Sequence, residues 1–255
     1  VRRSYDEVSA ASGRDREASM LVFFGPEDFE TRFELVSRVE LTEGHPFPVG
    51  LRSGVELCLV ALDGEFDLRV DGGTHRVPKS WVALLSTNDR FTIVPNAQHH
   101  VSLLITGTRV VRGRETESTG SKAGPLLERL DSGRLSPFAA HQGLGEIRFG
   151  TLFDTEVSSW TSIDHALLPP FTSVGYHQNH NSEEVFVILA GKGRMKTEDA
   201  VIDVEAGDCI LNPLGGRHGI VNHTNRALEF LNFSVLSGEP PVDVTDLGDD
   251  LSDLL

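Results

Sequence analysis

The sequence predicts an all-β protein built from two copies of one barrel. Three observations carry this reading. Apolar runs of strand length recur at short spacing, turns bearing Gly or Pro separate them, and the second half repeats the order of the first. At 255 residues the chain is long for one small barrel and suits two domains of ordinary size. Its 25 glycines, 12 prolines and 14 phenylalanines favour a turn-rich, strand-rich class over a helical bundle.

Residues 1–19 are polar and charged without a sustained period and read as a flexible N-terminal arm. From Met20 the composition turns apolar, and Leu21 to Phe24 form a short strand closed by the Gly25-Pro26 turn. Further strands are expected at Phe33 to Leu41, Val55 to Leu62, Glu65 to Val70, Trp81 to Ser86, Phe91 to Val94 and Val101 to Thr106. Asp63-Gly64 and Asp71-Gly72-Gly73 lie between alternating apolar runs, which is hairpin chemistry. A first barrel therefore covers 20–109. Residues 110–124 carry almost no apolar side chains and read as the interdomain linker. Pro125 to Leu130 has helical spacing with a proline at its start, so a short helix is expected to lead into a second barrel over 125–237.

The second barrel is expected to contain strands at Glu146 to Phe153, Ser162 to Leu168, Ser173 to Gln178, Val185 to Ala190, Val201 to Val204, Cys209 to Asn212 and Ala227 to Val235. Leu57 to Gly64 with Pro95 in the first half is echoed by Glu184 to Gly191 with Pro213 in the second. Residues 238–255 contain six acidic residues and no Lys or Arg, and read as a solvated, mobile acidic tail.

The formal net charge of −15 opposes attraction to a phosphate backbone or an anionic membrane surface, so neither nucleic acid nor membrane is an expected partner. Cys58 and Cys209 sit in apolar runs of different halves and are expected to be buried free thiols. No apolar run approaches the roughly 18 to 20 residues of a membrane span, and no signal-peptide core stands at the N-terminus. A cytoplasmic protein is expected.

The chemistry concentrates between Gly175 and Asn222. Alternate residues of a strand share a face, so ligands two apart can project into one barrel while other strands add a carboxylate and an imidazole. His177, Glu184 and His218 offer such a set. Imidazole and carboxylate donors suit one divalent transition metal, Fe, Mn, Ni, Zn or Cu, and residue type does not rank these. Glu183 alternates with Glu184 and is expected to be solvated.

The run Gly207, Pro213, Gly215, His218 and Asn222 fits G-x5-P-x-G-x2-H-x3-N, the second cupin motif, at every specified position. His177, Asn179, Glu184 and Gly191 resemble the first cupin motif, H-x-H-x(3,4)-E-x6-G, with Asn179 in place of the second histidine. A second register makes His180 the second histidine, with Gln178 replacing the first. Strand parity makes the two registers exclusive, and His177 is preferred over His180. The metal set is thus drawn from His177, His180, Glu184 and His218. The first half resembles a degenerate cupin, with Leu57 where the second half has Glu184.

This resemblance implies a bicupin: two cupin-type double-stranded β-helix barrels joined by short helical connections, with the site in the C-terminal barrel. It implies a metal-dependent enzyme of oxygenase, isomerase or cyclase type acting on a small organic metabolite, a carboxylated or carbonyl-containing one. The alternatives are a non-enzymatic small-molecule binder and a sugar-nucleotide ketoisomerase-like enzyme. Sheet pairing between subunits is common among cupins, which implies a homodimer. The fold alone does not select among these activities.

Overall fold

The computed structural model describes residues 1–5, 18–42, 45–49, 54–70, 73–85, 91–96, 100–110, 124–153 and 159–255. The chain divides into two compact units: an N-terminal unit of Asp6–Leu130 with Glu156–Ser159, and a C-terminal unit of Val1–Tyr5, Asp131–Thr155 and Trp160–Leu255. Each is a pair of antiparallel sheets of the cupin barrel type, with short 3-10 turns at Pro26–Asp28, Ser132–Arg134 and Ser252–Leu254.

Strand β1 (Arg2–Arg3) belongs to the C-terminal unit. The N-terminal unit follows with β2 (Ala18–Phe24), β3 (Phe33–Leu41), β4 (Phe47–Val49), β5 (Val55–Asp63), β6 (Phe66–Val70), β7 (Gly73–Val77), β8 (Trp81–Leu85), β9 (Phe91–Pro95), β10 (Val101–Arg109) and β11 (Leu126–Arg129). They form a six-stranded sheet in the order β11-β8-β5-β10-β3-β2 and a four-stranded sheet in the order β4-β9-β6-β7. Leu57, Leu59, Phe66, Leu68, Ile93, Leu103 and Ile105 from both sheets meet in one apolar core. Leu57 is the third residue of its strand and is buried there.

The C-terminal unit contains β12 (Ser136–Phe138), β13 (Ile147–Thr151), β14 (Ser162–Leu168), β15 (Ser173–Asn179), β16 (Ser182–Ala190), β17 (Lys192–Thr197), β18 (Val201–Glu205), β19 (Cys209–Asn212), β20 (Arg217–Val221), β21 (Leu228–Leu236) and β22 (Val244–Asp249). One sheet runs β1-β19-β16-β21-β14-β13-β12 and the other β18-β17-β20-β15-β22. Phe186, Ile188, Met195, Ile210, Ile220 and Phe230 form the apolar part of the interior, and the Phe186 ring packs edge-on against His218 with centroids 5.1 Å apart. β5 and β16 are both nine residues long with the same order of buried and exposed positions, so Leu57 and Glu184 occupy corresponding places.

Three expectations change. Leu126–Arg129 is a strand rather than a helix, paired with Trp81–Leu84 of β8. A six-residue helix is too short to be stable on its own, whereas the edge of β8 offers unpaired backbone groups. The acidic tail is not loose: β22 pairs with β15, and Leu251 beyond it is fully buried. Arg2 and Arg3 of the expected flexible arm pair with Ile210 and Cys209, and the Arg2 guanidinium meets Asp208 at 2.9 Å. The rest of the arm at 6–17, the linker at 111–123 and the Asp71-Gly72 turn lie outside the described residues. Both cysteines are free and buried, and burial pushes the Cys58 thiol far above its ordinary range. Among the described residues no helix is long and apolar enough to cross a membrane.

The same turn device carries the chain from one sheet to the other in each unit, so Asp63-Gly64 does not close the expected hairpin: β5 and β6 lie in different sheets, as do β16 and β17. Gly64 has φ +73 and a side chain there would fall 2.4 Å from the His100 carbonyl oxygen; Gly191 has φ +83 and would meet the Ala227 carbonyl oxygen at 2.2 Å. Only glycine satisfies both the left-handed backbone and the close approach. Gly191→Ala is expected to lower stability by about 1–3 kcal/mol, read as a shift of the urea midpoint with unchanged slope.

Candidate metal centre

The site is assembled by three strands whose pairing brings their side chains to one place. On β15 buried and half-buried residues alternate, so His177 and Asn179 point inward while Tyr176 and Gln178 point away. His177 is the cross-strand partner of His218 on β20, and Glu184 enters from β16 in the other sheet. His218 follows the Pro213 to Gly216 turn, in which Gly215 takes φ +73. One ligand atom from each of His177, Glu184 and His218 lies within 4.8 Å of the other two, and all three residues are buried.

His180, the alternative second histidine, is not brought to this cluster. It lies beyond the end of β15, is exposed, and has its Nε2 3.0 Å from Thr245 Oγ1. Parity excludes it: with residue 177 inward, residue 179 also faces inward, and that residue is an asparagine. Asn179 Nδ2 donates to Glu184 Oε2 at 2.6 Å, and Asn232 Nδ2 donates to Glu184 Oε1 at 2.9 Å. The carboxylate is therefore held by two amides, one on each oxygen. Glu183, expected to be solvated, is fully buried.

The electrostatics favour an acceptor-rich centre. Burial drives the His177 imidazole down to about 3, with the charges of His218 and His141 acting in the same direction. Burial likewise drives His218 down to about 3, aided by His141. Both rings are accordingly neutral near pH 7 and offer lone pairs. Burial raises Glu184, which the Asn232 hydrogen bond opposes.

The His177 Nδ1 donates to the Gly175 carbonyl at 2.9 Å, leaving Nε2 as the acceptor. His218 Nε2 stands 3.2 Å from Glu184 Oε2, and His218 Nδ1 is buried without a hydrogen-bond partner. Two neutral imidazoles and a carboxylate converging in a buried space fit a divalent transition metal ion.

Sequence reasoning missed His141. Its ring stacks on His177 with centroids 3.7 Å apart, and its Nδ1 lies 2.7 Å from Asp246 Oδ1 on β22. The His141 hydrogen bond holds the Asp246 carboxyl below its ordinary range. The turn carrying His141 approaches β15 so closely that a side chain at Gly175 would fall 1.9 Å from the His141 carbonyl oxygen. Glycine inside a strand marks such an approach, so Gly175 was the one local signal available. A cavity of about 210 Å³ opens beside the cluster, lined by His141, His177, Asn179 and Glu184, by Thr161, Ser162 and Ser234, and by Val242 and Val244.

Two-sheet antiparallel barrels with an inward His, Glu and His set define a cupin. The comparisons with known proteins agree. Residues 165–244 match the cupin domain family model. Over 96 residues the chain is 31% identical to the oxalate-binding protein of Thermotoga maritima, an alignment covering 37% of this chain and 79% of that protein.

Among solved structures, a cupin 2 conserved barrel domain protein from Leptotrichia buccalis has a TM-score of 0.63 at 10% identity, covering 92% of this chain and 96% of that one. A variant of Bacillus subtilis oxalate decarboxylase has a TM-score of 0.66 at 11% identity, covering 96% and 79%. The chain belongs to the cupin family, and its two barrels make it a bicupin.

One buried acid near the centre gives a test of the electrostatics. Asp164 on β14 accepts from Thr151 Oγ1 at 2.7 Å and Ser162 Oγ at 2.6 Å, yet burial pushes it up to about 6, against those bonds and with help from Glu184. A carboxyl raised on folding stabilises the fold below its unfolded value of 3.8, and that contribution is lost as pH rises through about 6. Asp164→Asn is therefore expected to raise the unfolding temperature at pH 8 and to leave it nearly unchanged at pH 4. An equal shift at both pH values would show that Asp164 titrates normally.

Proposed function

We propose that the C-terminal barrel holds one divalent transition metal on His177, Glu184 and His218 and acts there, as an enzyme, on a short dicarboxylate of the oxalate class. The observation that carries this reading is the convergence of three buried donors beside a small cavity. When bound, the metal would supply Lewis-acid charge to a substrate oxygen.

The chain's own groups do the rest. The Gly175 carbonyl orients His177, and the amides of Asn179 and Asn232 fix the two oxygens of Glu184. In this reading Asn179 takes the place of a histidine ligand and serves to position Glu184. Ser234 offers a hydroxyl on the cavity wall for a substrate oxygen. The name of the Thermotoga relative supports oxalate as the first compound to try.

The size of the cavity supports a small ligand. At about 210 Å³ it falls below the roughly 300–1,000 Å³ of sites that enclose drug-sized ligands. This disfavours a sugar-nucleotide ketoisomerase. A second reading, metal-dependent binding of a dicarboxylate without turnover, is favoured by the relative's description as a binding protein.

Metal analysis of protein purified without chelator is expected to find about one transition-metal ion per chain, lost in His177→Ala and in His218→Ala and retained in His180→Ala. Oxalate is expected to raise the unfolding temperature of the metal-loaded protein. Incubation with oxalate then separates the two readings, since only the enzyme consumes it. Equal metal content in wild type and the His177→Ala and His218→Ala variants would overturn the assignment.

A further inference from the structure

The sheet that carries Glu184 also holds, on its interior face, polar side chains outside the ligand set. Alternation along β14 puts Ser162 and Asp164 on the same face as Ala166 and Leu168, which belong to the apolar interior. Ser162 lies opposite Ser234 of β21, and Asp164 lies between Asn232 of β21 and Thr151 of β13. Ser162 borders the cavity and Asp164 does not, so the carboxyl stands one hydrogen bond away from any ligand there.

Among the described residues Asp164 has two hydrogen-bond partners, Thr151 Oγ1 on Oδ1 at 2.7 Å and Ser162 Oγ on Oδ2 at 2.6 Å. Neither is a cation or a backbone amide. Asn232 gives it nothing, since its Nδ2 is spent on Glu184 and its Oδ1 is buried without a partner. A buried carboxyl so placed lacks the groups that hold a carboxylate ionised. Hydroxyls, however, suit both of its states: each can donate to a carboxylate, or turn and accept from a carboxylic acid, without moving a heavy atom.

The ionisable groups that share this interior are Glu184 from β16, His177 from β15 and His218 from β20, with His141, paired to Asp246, at the cavity. Glu184 opposes ionisation of Asp164, but burial is the larger cause of its rise to about 6, and a cation on Glu184 leaves that burial in place.

We propose that Ser162 is a ligand-binding residue and Asp164 the residue that sets its polarity: the neutral acid donates its proton to Ser162 Oγ, and the Ser162 hydroxyl turns to donate to an oxygen of the anion in the cavity. This rests on the dicarboxylate reading of the same site and adds the proton that tight binding requires. When Asp164 is ionised it takes the Ser162 hydrogen, and the hydroxyl shows the cavity only lone pairs, which repel an anion. Oxalate affinity is therefore full below about 6 and falls as pH rises above it, and binding draws a proton onto Asp164. Asp164→Asn fixes the neutral arrangement, its amide oxygen accepting from Thr151 and its amide nitrogen donating to Ser162.

The test is calorimetric titration of oxalate into full-length metal-loaded protein from pH 5 to pH 8, in buffers of differing ionisation enthalpy, for wild type, Asp164→Asn and Ser162→Ala. Wild type is expected to lose at least about tenfold in affinity across this range and to take up about half a proton or more per oxalate at pH 7. Asp164→Asn should keep the pH 5 affinity of wild type throughout, with the proton uptake gone. Ser162→Ala should bind weakly at every pH. Metal content should be equal in all three, because neither residue belongs to the ligand set.

If Asp164→Asn or Ser162→Ala keeps the pH profile and proton uptake of wild type, the roles of Asp164 and Ser162 are overturned while the dicarboxylate reading stands. A wild-type affinity that is flat or rises from pH 5 to pH 8 overturns them equally. A wild-type protein that takes up metal yet binds no oxalate at any of these pH values overturns the dicarboxylate reading and these roles with it.

Discussion

The site depends on one constraint, the pairing of β15 on both of its edges. β20 lies along one edge and β22 along the other, so the backbone of this strand has little freedom to turn over. A slip of one residue would exchange the two faces completely. With the register held on both sides, His177 and Asn179 must face the interior and Gln178 must face out. The register irregularity ahead of His177 on both edges is absorbed before the functional residues begin. The close passage of the His141 turn over Gly175 adds a third restraint at the same point.

Given that constraint, the replacement of a histidine by Asn179 has a definite electrostatic consequence. A carboxylate enclosed as deeply as Glu184 is costly to keep ionised unless its oxygens receive hydrogen bonds. Asn179 and Asn232 supply one each. The amide carries no charge, so it does not compete with a cation for the site as an imidazolium would. It also leaves the inward face with two nitrogen donors rather than three. The polar groups continue behind Glu184: Ser182 Oγ, Asn212 Nδ2 and Asn232 Oδ1 are buried without hydrogen-bond partners in the protein. Each such group destabilises the fold by about 1–3 kcal/mol, which marks this end of the barrel as shaped for something other than stability.

What the sequence revealed and what it concealed follow from the range of the interactions involved. The second motif could be read because Gly207, Pro213, Gly215 and His218 act through local turn chemistry within one short stretch. Alternation then left two registers for the first motif, and no residue between 177 and 184 chooses between them. The choice is made by β20 and β22, which are distant in sequence. His141, Asn232 and Asp246 were hidden for the same reason, since each reaches the site only through contacts between segments distant in sequence. The helix expected at Pro125 to Leu130 failed because a short apolar run carries no information on whether an open sheet edge is waiting for it. The tail was read from its charge, but β22 is held by backbone pairing and by a buried leucine, to which net charge is almost indifferent.

The two units show how far one framework can diverge in its interior. β5 and β16 have the same length and the same order of burial, and the turn after each holds a glycine at positive φ against the carbonyl just ahead of a paired strand, His100 before β10 and Ala227 before β21. At the third position of that shared strand one unit places Leu57 and the other Glu184. Leu57 belongs to an apolar cluster of aliphatic and aromatic side chains, and burying each large apolar side chain contributes about 1.5–3 kcal/mol. Around Glu184 the neighbours are amides, imidazoles and hydroxyls. Exchanging one residue would not convert either interior into the other: a glutamate at 57 would be buried among apolar side chains, and a leucine at 184 would strand the amides of Asn179 and Asn232. The framework tolerates both solutions because its pairing is carried by the backbone, and the chemistry is confined to side chains that the backbone merely aims.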